Sequence, residues 1–584
     1  MEKATKSIKK VFKSSVFIFR RDLRLDDNTG LIKALKLSTK VYPVFIFDPR
    51  QIHQARNDYF SNKSVQFMCQ SLQDLNSQLE EKGSQLNLVY GEYPNIIEEV
   101  IEATEAEMIC VNEDYTKFSR IRDQQIRTVC MENKVRFVTC EDICLLNKDQ
   151  ALNGREEFYK KFTPFYNAVS GNKVKQPQKC EMDNFAEDAI EQLGNEEEEV
   201  GATKKKKGSK TAETGQYQSR VITDFGKQFY TKEKAAVKGG RTEAKKIVAK
   251  LSKLKNYEVV RNDPSKSTSK LSAHNKFGTV SIREVYYGAK LKLAEKAEPF
   301  IRQLYWRDFY YYIGYFYPHI FEGPMKINYA GIAWWDNDDY LQKWKDGMTG
   351  CPIVDASMRD MNTTGYMPNR VRMIVSNFLV KDLHINWQEG EKYFAQKLVD
   401  YDPCQNNGGW QWSAGCGVDS QPYFRIFNPK RQSEKFDPQC KYIRKWIPEL
   451  ADVDVKDIHD WEEGHKKAKY KGVDYPKPVV THADEKETTI QMYVKALEAA
   501  KKRGIDTNSY RSLATPSFVE GGQVANVKSG KRSASSKKRS QKVKKSASSK
   551  KGATSGKTRK SGTKTRRRSK KITEYMAGGE KDQD

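Results

Sequence analysis

Val16-Phe17-Ile18-Phe19 ends abruptly in Arg20-Arg21-Asp22-Leu23-Arg24-Leu25-Asp26-Asp27-Asn28. A short run of bulky apolar side chains without polar alternation suits a strand buried on both faces, as in parallel sheets. Similar runs recur at residues 41–47, 86–90, 108–111 and 135–138, and segments such as 64–82 and 118–133 between them carry apolar residues at helical spacing. Five strands alternating with helices predict an α/β domain over residues 16–145, built on a doubly wound parallel five-stranded sheet. No G-x-G-x-x-G or Walker loop follows the first strand, which disfavours a dinucleotide or nucleoside triphosphate role for this sheet.

Outward from this unit the composition changes. Residues 1–15 are polar and expected to be disordered. Residues 146–240 read as an interdomain linker, with a solvated insertion at 183–216 that carries an acidic run at 196–199 and a basic run at 204–207. From 241 to 511 strand patterns vanish and aromatic, helical spacing takes over, which predicts a large all-helical domain. Residues 512–584 are low complexity and too poor in apolar side chains to fold. The net charge is +27, and residues 528–571 alone hold 20 Lys and Arg with no acid, leaving +7 for the rest. Such a tail suits a polyanion such as nucleic acid, and Lys537-Lys538-Arg539 and Arg566-Arg567-Arg568 are compatible with nuclear import. Ten scattered Cys form no Cys-x-x-Cys pair, so reduced intracellular thiols are favoured over a structural metal site. The first apolar run is too short for a signal peptide or a membrane span, so a soluble intracellular protein is expected.

The densest chemistry lies between residues 300 and 430. Asn406-Asn407-Gly408-Gly409-Trp410-Gln411-Trp412 runs into Ser413-Ala414-Gly415-Cys416-Gly417, and Pro422-Tyr423-Phe424-Arg425-Ile426-Phe427-Asn428-Pro429 follows. Two indoles two apart, flanked by glycines, make a poor ordinary helix. Glycines let backbone approach a flat heterocycle on which an indole stacks; a tight turn packed with aromatic core residues reads equally well. Asp400 and Asp402 upstream suit a paired-carboxylate hydrolase, a hydrogen-bonding pair for ribityl or pyrimidine N–H groups, or a solvated helix end. In Asn369-Arg370-Val371-Arg372-Met373 the two arginines diverge on a helix, so one can hold a phosphate or cofactor and the other DNA. Trp306-Arg307-Asp308-Phe309-Tyr310 forms a fourth cluster. The fifth, Thr268-Ser269-Lys270-Leu271-Ser272, is a hydroxyl-rich turn able to bind a phosphate or cap a helix.

These clusters, in this order, resemble the photolyase/cryptochrome family, most of all the class I cyclobutane pyrimidine dimer photolyases. The stretch Phe19 to Asn28 quoted above matches the family's opening signature, and the likeness runs over about residues 15–500 outside 183–216. It implies an α/β antenna-type domain joined to an all-helical FAD-binding domain, in agreement with the pattern reading. It also implies light-driven repair of UV-damaged DNA by a monomer, in which excited reduced, anionic FAD lends one electron to the dimer and regains it after the ring splits. Signalling cryptochromes and six-four photolyases are the alternatives within the family.

By motif position the resemblance implies that Tyr257, Thr268, Ser269, Lys270, Leu271 and Ser272 hold the FAD phosphates. Arg307 and Arg372 lie along the flavin, Asp400 and Asp402 contact its edge and ribityl region, and Asn406 faces N5. Asn at that last position is typical of photolyases, whereas signalling cryptochromes often carry Asp or Cys. Trp410, Trp387 and Trp334 match an electron relay from the flavin outward, with Trp334 preferred over its neighbour Trp335. Gln303, Trp306, Trp412, Asn369 and Met373 line the pocket for a flipped-out dimer, and Arg261, Arg370 and Arg425 contact the DNA backbone. Gln303 departs towards six-four enzymes, where cyclobutane-dimer enzymes usually carry Glu. Asn369 and Met373 point the other way: they stand where six-four enzymes place two catalytic His, and no His lies between 320 and 383. Phe300 and Tyr366 replace family Trp. The segment 112–123 resembles the second-chromophore region, but Phe118 and Ser119 replace the polar pair expected for a folate. A deazaflavin, a flavin or no antenna remain open.

Overall fold

The five apolar runs form five parallel strands in the order β3-β2-β1-β4-β5. They are β1 (Phe12–Phe19), β2 (Ser38–Phe47), β3 (Asn87–Tyr90), β4 (Met108–Asn112) and β5 (Arg136–Cys140). The computed structural model describes residues 10–190 and 235–505. β1 lies at the centre, with Val16 opposite Tyr42 on one side and Ile109 on the other. Its side chains alternate between two cores. Phe17 and Phe19 join the core under α1 (Thr29–Leu37) and α2 (Asn62–Glu80); Val16 and Ile18 join the one under α3 (Asn95–Thr104) and α4 (Lys117–Glu132). Helices on both faces explain why the runs lack polar alternation.

Two expected boundaries move. β1 starts at Phe12, inside the stretch expected to be disordered, because Phe12 and Ser14 pair with Ser38 and Lys40; backbone pairing does not require apolar side chains. The expected linker is packed where it is described. α5 (Phe162–Val169) lies under the helical domain, and Phe185 bridges to Val41 at the sheet. Residues 183–190 therefore belong to the folded body, while 191–216 and the basic tail at 512–584 lie outside the described residues.

After residue 240 the described chain is helical. The helices used below are α6 (Arg241–Ala249), α7 (Ser272–Phe277), α8 (Ile282–Leu293), α9 (Glu298–Phe316), α10 (Asn369–Lys381), α11 (Trp387–Lys397), α12 (Pro403–Ala414) and α13 (His482–Lys502). Two large cores hold most of them: an aromatic one around α9, and one that includes Trp387 and Trp410; α7 packs into the sheet-side core with Phe17 and Phe19, and α13 around Tyr493.

The charged half of the opening stretch joins the two domains. Arg283 on α8 donates to Asp27 Oδ2 at 2.8 Å and to Asp142 Oδ1 at 2.8 Å, and Arg24 pairs with Asp142. Arg241 on α6 bridges Asp26 at 2.9 Å and Glu284 at 2.8 Å. Arg24, Asp27, Asp142 and Arg283 are all buried. Burial pushes the Asp142 carboxyl up, but Arg24 and Arg283 outweigh it and hold it well below the usual carboxylate range.

Candidate functional site

The glycine-rich stretch expected to make a poor helix is a regular one, α12. Its ends and neighbours override its propensity. Asp402 caps the first turn, Pro403 sits at the first helical position, and Gly415 ends the helix at φ +77°. Gly408 admits α9, because a Cβ there would meet the Tyr310 ring at 2.2 Å. Gly409 has nothing within 4 Å of a Cβ and leaves the adjoining surface open. Gln405 Nε2 donates to Arg307 O at 2.8 Å, tying α9 to α12 again.

Asn406 and Trp410 stand one turn apart on α12, so they share a face. The Asn406 amide donates to Glu391 O at 2.9 Å, which turns its side-chain oxygen away from α11; that oxygen accepts no hydrogen bond among the described residues. Trp410 is 2% exposed, yet its Nε1 has no partner. Its six-membered ring presses on Gly390, where a Cβ would come within 2.1 Å. Gly390 lies one turn after Trp387, so the two indoles meet the same stretch of α11. Trp387 is buried; Trp334 is half-buried, with its ring 6.2 Å from Tyr493 on α13. Trp335 is 39% exposed and stands 4.3 Å from the His384 ring.

A second group converges on Tyr366. Thr268 Oγ1 lies 3.5 Å from its hydroxyl, Lys270 stands over its ring at 5.2 Å, and Arg372 does so at 5.6 Å. Arg372 also donates to both Asp400 oxygens at 3.1 and 2.9 Å. Lys270 adopts φ +55°, and Ser269 Oγ accepts from Leu271 N at 3.4 Å; Ser272 begins α7. Tyr257 is half-buried with its ring 5.1 Å from Phe300, and burial pushes its hydroxyl up to about 12. The two arginines of α10 diverge as their spacing requires: Arg370 turns to Asn262 Oδ1 at 2.7 Å. That contact sets it beside Arg261, whose Nε is buried without a partner.

Asp402 is held differently from Asp400. A carboxylate accepts about four hydrogen bonds. Asp402 already takes Tyr115 OH at 2.8 Å, Cys404 N at 3.1 Å, Gln405 N at 3.2 Å and Arg21 Nη2. Three of these bonds converge on Oδ1, while Oδ2 receives only Arg21, so protein holds this carboxylate more fully than Asp400. Asp400 receives only Arg372 and keeps capacity to accept further bonds.

Of the expected substrate pocket, Trp306 is stacked on Phe162 at 3.7 Å and 7°, which covers one indole face, and Tyr310 stands 5.8 Å away at 28°. Gln303 donates weakly to Pro299 O at 3.4 Å. Asn369 is exposed at the start of α10 and reaches Met373 one turn on, 3.8 Å to Sδ. Trp412 is half-buried with Phe427 at 6.3 Å, and Arg425 is exposed. In the second-chromophore segment Asn112 is bonded to Asp22, Asn28 and Gly30, Ser119 to Asp114, and Phe118 lies under Arg50 at 5.1 Å.

Sequence reading assigned no role to Glu391, Tyr115 or Arg21. Glu391 orients Asn406, and burial pushes its carboxyl up to about 7. Arg21 stood in the quoted opening stretch, which was the available signal. The donor set fits FAD: Asp400, Asn406 Oδ1 and Trp410 Nε1 retain hydrogen-bonding capacity around α12, and the hydroxyl-rich turn joins them at Tyr366.

A family model described as DNA photolyase matches residues 15–182, and one described as FAD binding domain of DNA photolyase matches 300–495. The chain is 34% identical to a deoxyribodipyrimidine photo-lyase of Alkalihalophilus pseudofirmus, over 81% of this chain and 96% of that one. It is also 34% identical to one of Escherichia coli, over 83% and 98%. Among solved structures, an archaeal photolyase from Sulfolobus tokodaii with two FAD molecules aligns at TM-score 0.70 and 40% identity, over 82% of this chain and all of that one. A class III photolyase from Agrobacterium tumefaciens aligns at TM-score 0.70 and 29% identity, over 85% and 100%.

Proposed function

This chain belongs to the DNA photolyase family, and from that premise we propose that it is a deoxyribodipyrimidine photo-lyase that binds FAD and splits cyclobutane pyrimidine dimers in UV-damaged DNA. The observation that carries the reading is the unfilled hydrogen-bonding capacity of Asp400, Asn406 and Trp410 on adjoining surfaces of α10–α12. FAD, when bound and reduced, supplies the light-excited electron.

The chain's own residues bind, orient and exclude water. Asp400, held by Arg372, would accept from the flavin's ring edge, and Asn406, its amide fixed by the Glu391 backbone carbonyl, would offer a neutral acceptor to the flavin. Tyr257, Thr268, Ser269, Lys270, Leu271 and Ser272 hold the phosphates, and Arg307 lies along the cofactor. Trp410, Trp387 and Trp334 would form the relay that carries electrons from the protein surface towards the bound cofactor. Trp412 and Trp306 would flank the extruded dimer, which stacks poorly in the duplex and so flips at lower cost. Arg261, Arg370 and Arg425 grip backbone phosphate without reading sequence.

The lesion choice rests on Asn369 and Met373, which lie in contact on one face of α10 and supply no imidazole. Gln303 alone favours the six-four reading. The assay is loss of cyclobutane dimers from irradiated DNA by the reduced flavoprotein under blue light. Light-dependent loss is expected; intact dimers, with flavin bound and reduced, would sink the proposal. Nuclear import rests on the two basic clusters, and a fluorescent fusion with both changed to Ala should leave the nucleus.

A further inference from the structure

Open doubly wound sheets bind ligands beyond the carboxyl ends of their strands, at the point where strand order reverses. Here that point lies between β1 and β4. The loop after β1 carries Arg21, and the loop after β4 carries Asp114 and Tyr115. The group they hold is the N-terminus of α12. Arg21 pairs with Asp402 through Nη2, with Asp114 through Nη1 at 3.2 Å, and donates from Nε to Lys276 O at 3.3 Å. Tyr115 OH donates to Asp402 Oδ1 at 2.8 Å and accepts from Cys404 N at 3.2 Å. The Arg21 guanidinium sits 5.5 Å over the Tyr115 ring.

This clamp is buried, with side-chain exposures of 16% for Arg21, 9% for Asp114 and 11% for Asp402. Burial works to raise the Asp402 carboxyl, but Arg21 and Arg307 outweigh it and keep it ionised. The grip is made where α12 starts: Asn406 N donates to Asp402 O at 2.9 Å, the helix's first turn. Asn406 and Trp410 follow one and two turns on, so a shift or tilt at the cap moves both. Site geometry must hold to within about 0.5 Å to function.

Given the reading that Asn406 faces the flavin, we infer that Arg21 and Tyr115 of the α/β domain are positioning residues for the FAD site, acting through Asp402 to fix the place of the Asn406 side chain. The α/β domain thereby sets the cofactor's electron affinity, a role separate from any antenna it carries.

The test is the reduction potential of the bound flavin, titrated spectroelectrochemically in full-length holoprotein at matched FAD occupancy. Arg21→Ala should shift it by about 30 mV, a tenfold change in the oxidised-to-reduced ratio for a two-electron couple. Arg21→Lys should recover part of the shift, and Tyr115→Phe should move it in the same direction by less. Asn406→Ala is the control. If Asn406→Ala shifts the potential while Arg21→Ala and Tyr115→Phe leave it unchanged, the clamp is only a structural tie and the inference is overturned. If Asn406→Ala itself leaves the potential unchanged, the reading of Asn406 fails first. Should Arg21→Ala not accumulate as holoprotein, Tyr115→Phe decides alone.

Discussion

The loop after β1 and the walls around α12 are equally rich in polar side chains, but they differ in what is left over. In the loop, Asp26 and Asp27 and, further along, Asp142 find charged partners across the domain boundary, and Arg24 pairs with Asp142 within its own domain. Around α12, Asp400 and Asn406 keep acceptors that nothing fills, and Trp410 keeps a donor. The loop's carboxylates are all paired, although Arg20 and Arg24 each keep a buried Nε without a partner; around α12 the open groups are acceptors and an indole donor gathered on one helix and its neighbours.

The contrast can be broken first among the paired carboxylates. Asp142→Ala leaves the buried Arg24 guanidinium without its carboxylate and takes one of two carboxylates from Arg283, and should destabilise the protein by about 3–5 kcal/mol in denaturant unfolding. A cost near zero would mean the lock is not a lock. Around α12, Asp400→Asn should weaken FAD binding roughly 10- to 100-fold, the worth of about one charge-assisted hydrogen bond, by fluorescence titration. An affinity unchanged by that substitution would remove Asp400 from the site.

Glu391 sharpens the contrast through pH. Its folded pKa is raised from 4.5 to about 7, so its stabilising contribution is fully present below pH 4.5 and is lost as pH rises through 7. Unfolding free energy should fall across that window by at most about 1.4 kcal/mol per pH unit, and Glu391→Gln should flatten the slope. The smallest effect belongs to exposed Arg425. Arg425→Ala should lower DNA affinity a few-fold whatever the sequence, and reduce the salt slope by about 0.9 in filter-binding titrations.

β1, β2 and β4 were legible because burial on both faces writes a local signature of consecutive apolar residues; the edge strands β3 and β5 are only partly buried and were found by their place in the alternation with helices. The start of β1 was not, because Phe12–Ser15 is held by backbone pairing to a distant strand. α12 was misjudged from its glycines, which serve the approach of Tyr310 and solvent rather than a break. Asp400 and Asp402 show the limit most sharply. They are the same residue type two positions apart, and what separates them is Arg21, 381 residues away in sequence. Residue type and spacing locate a site; how tightly protein holds each member of a pair is decided by chain segments folded in from elsewhere.

The most direct measurement is the initial repair rate of the reduced flavoprotein on two defined oligonucleotides, one with a cyclobutane thymine dimer and one with a six-four photoproduct, each under blue light and in the dark. Rapid light-dependent repair of the first, with none of the second and none of either in the dark, is the predicted result. Repair of the six-four product alone, or of neither with reduced FAD bound, would contradict it.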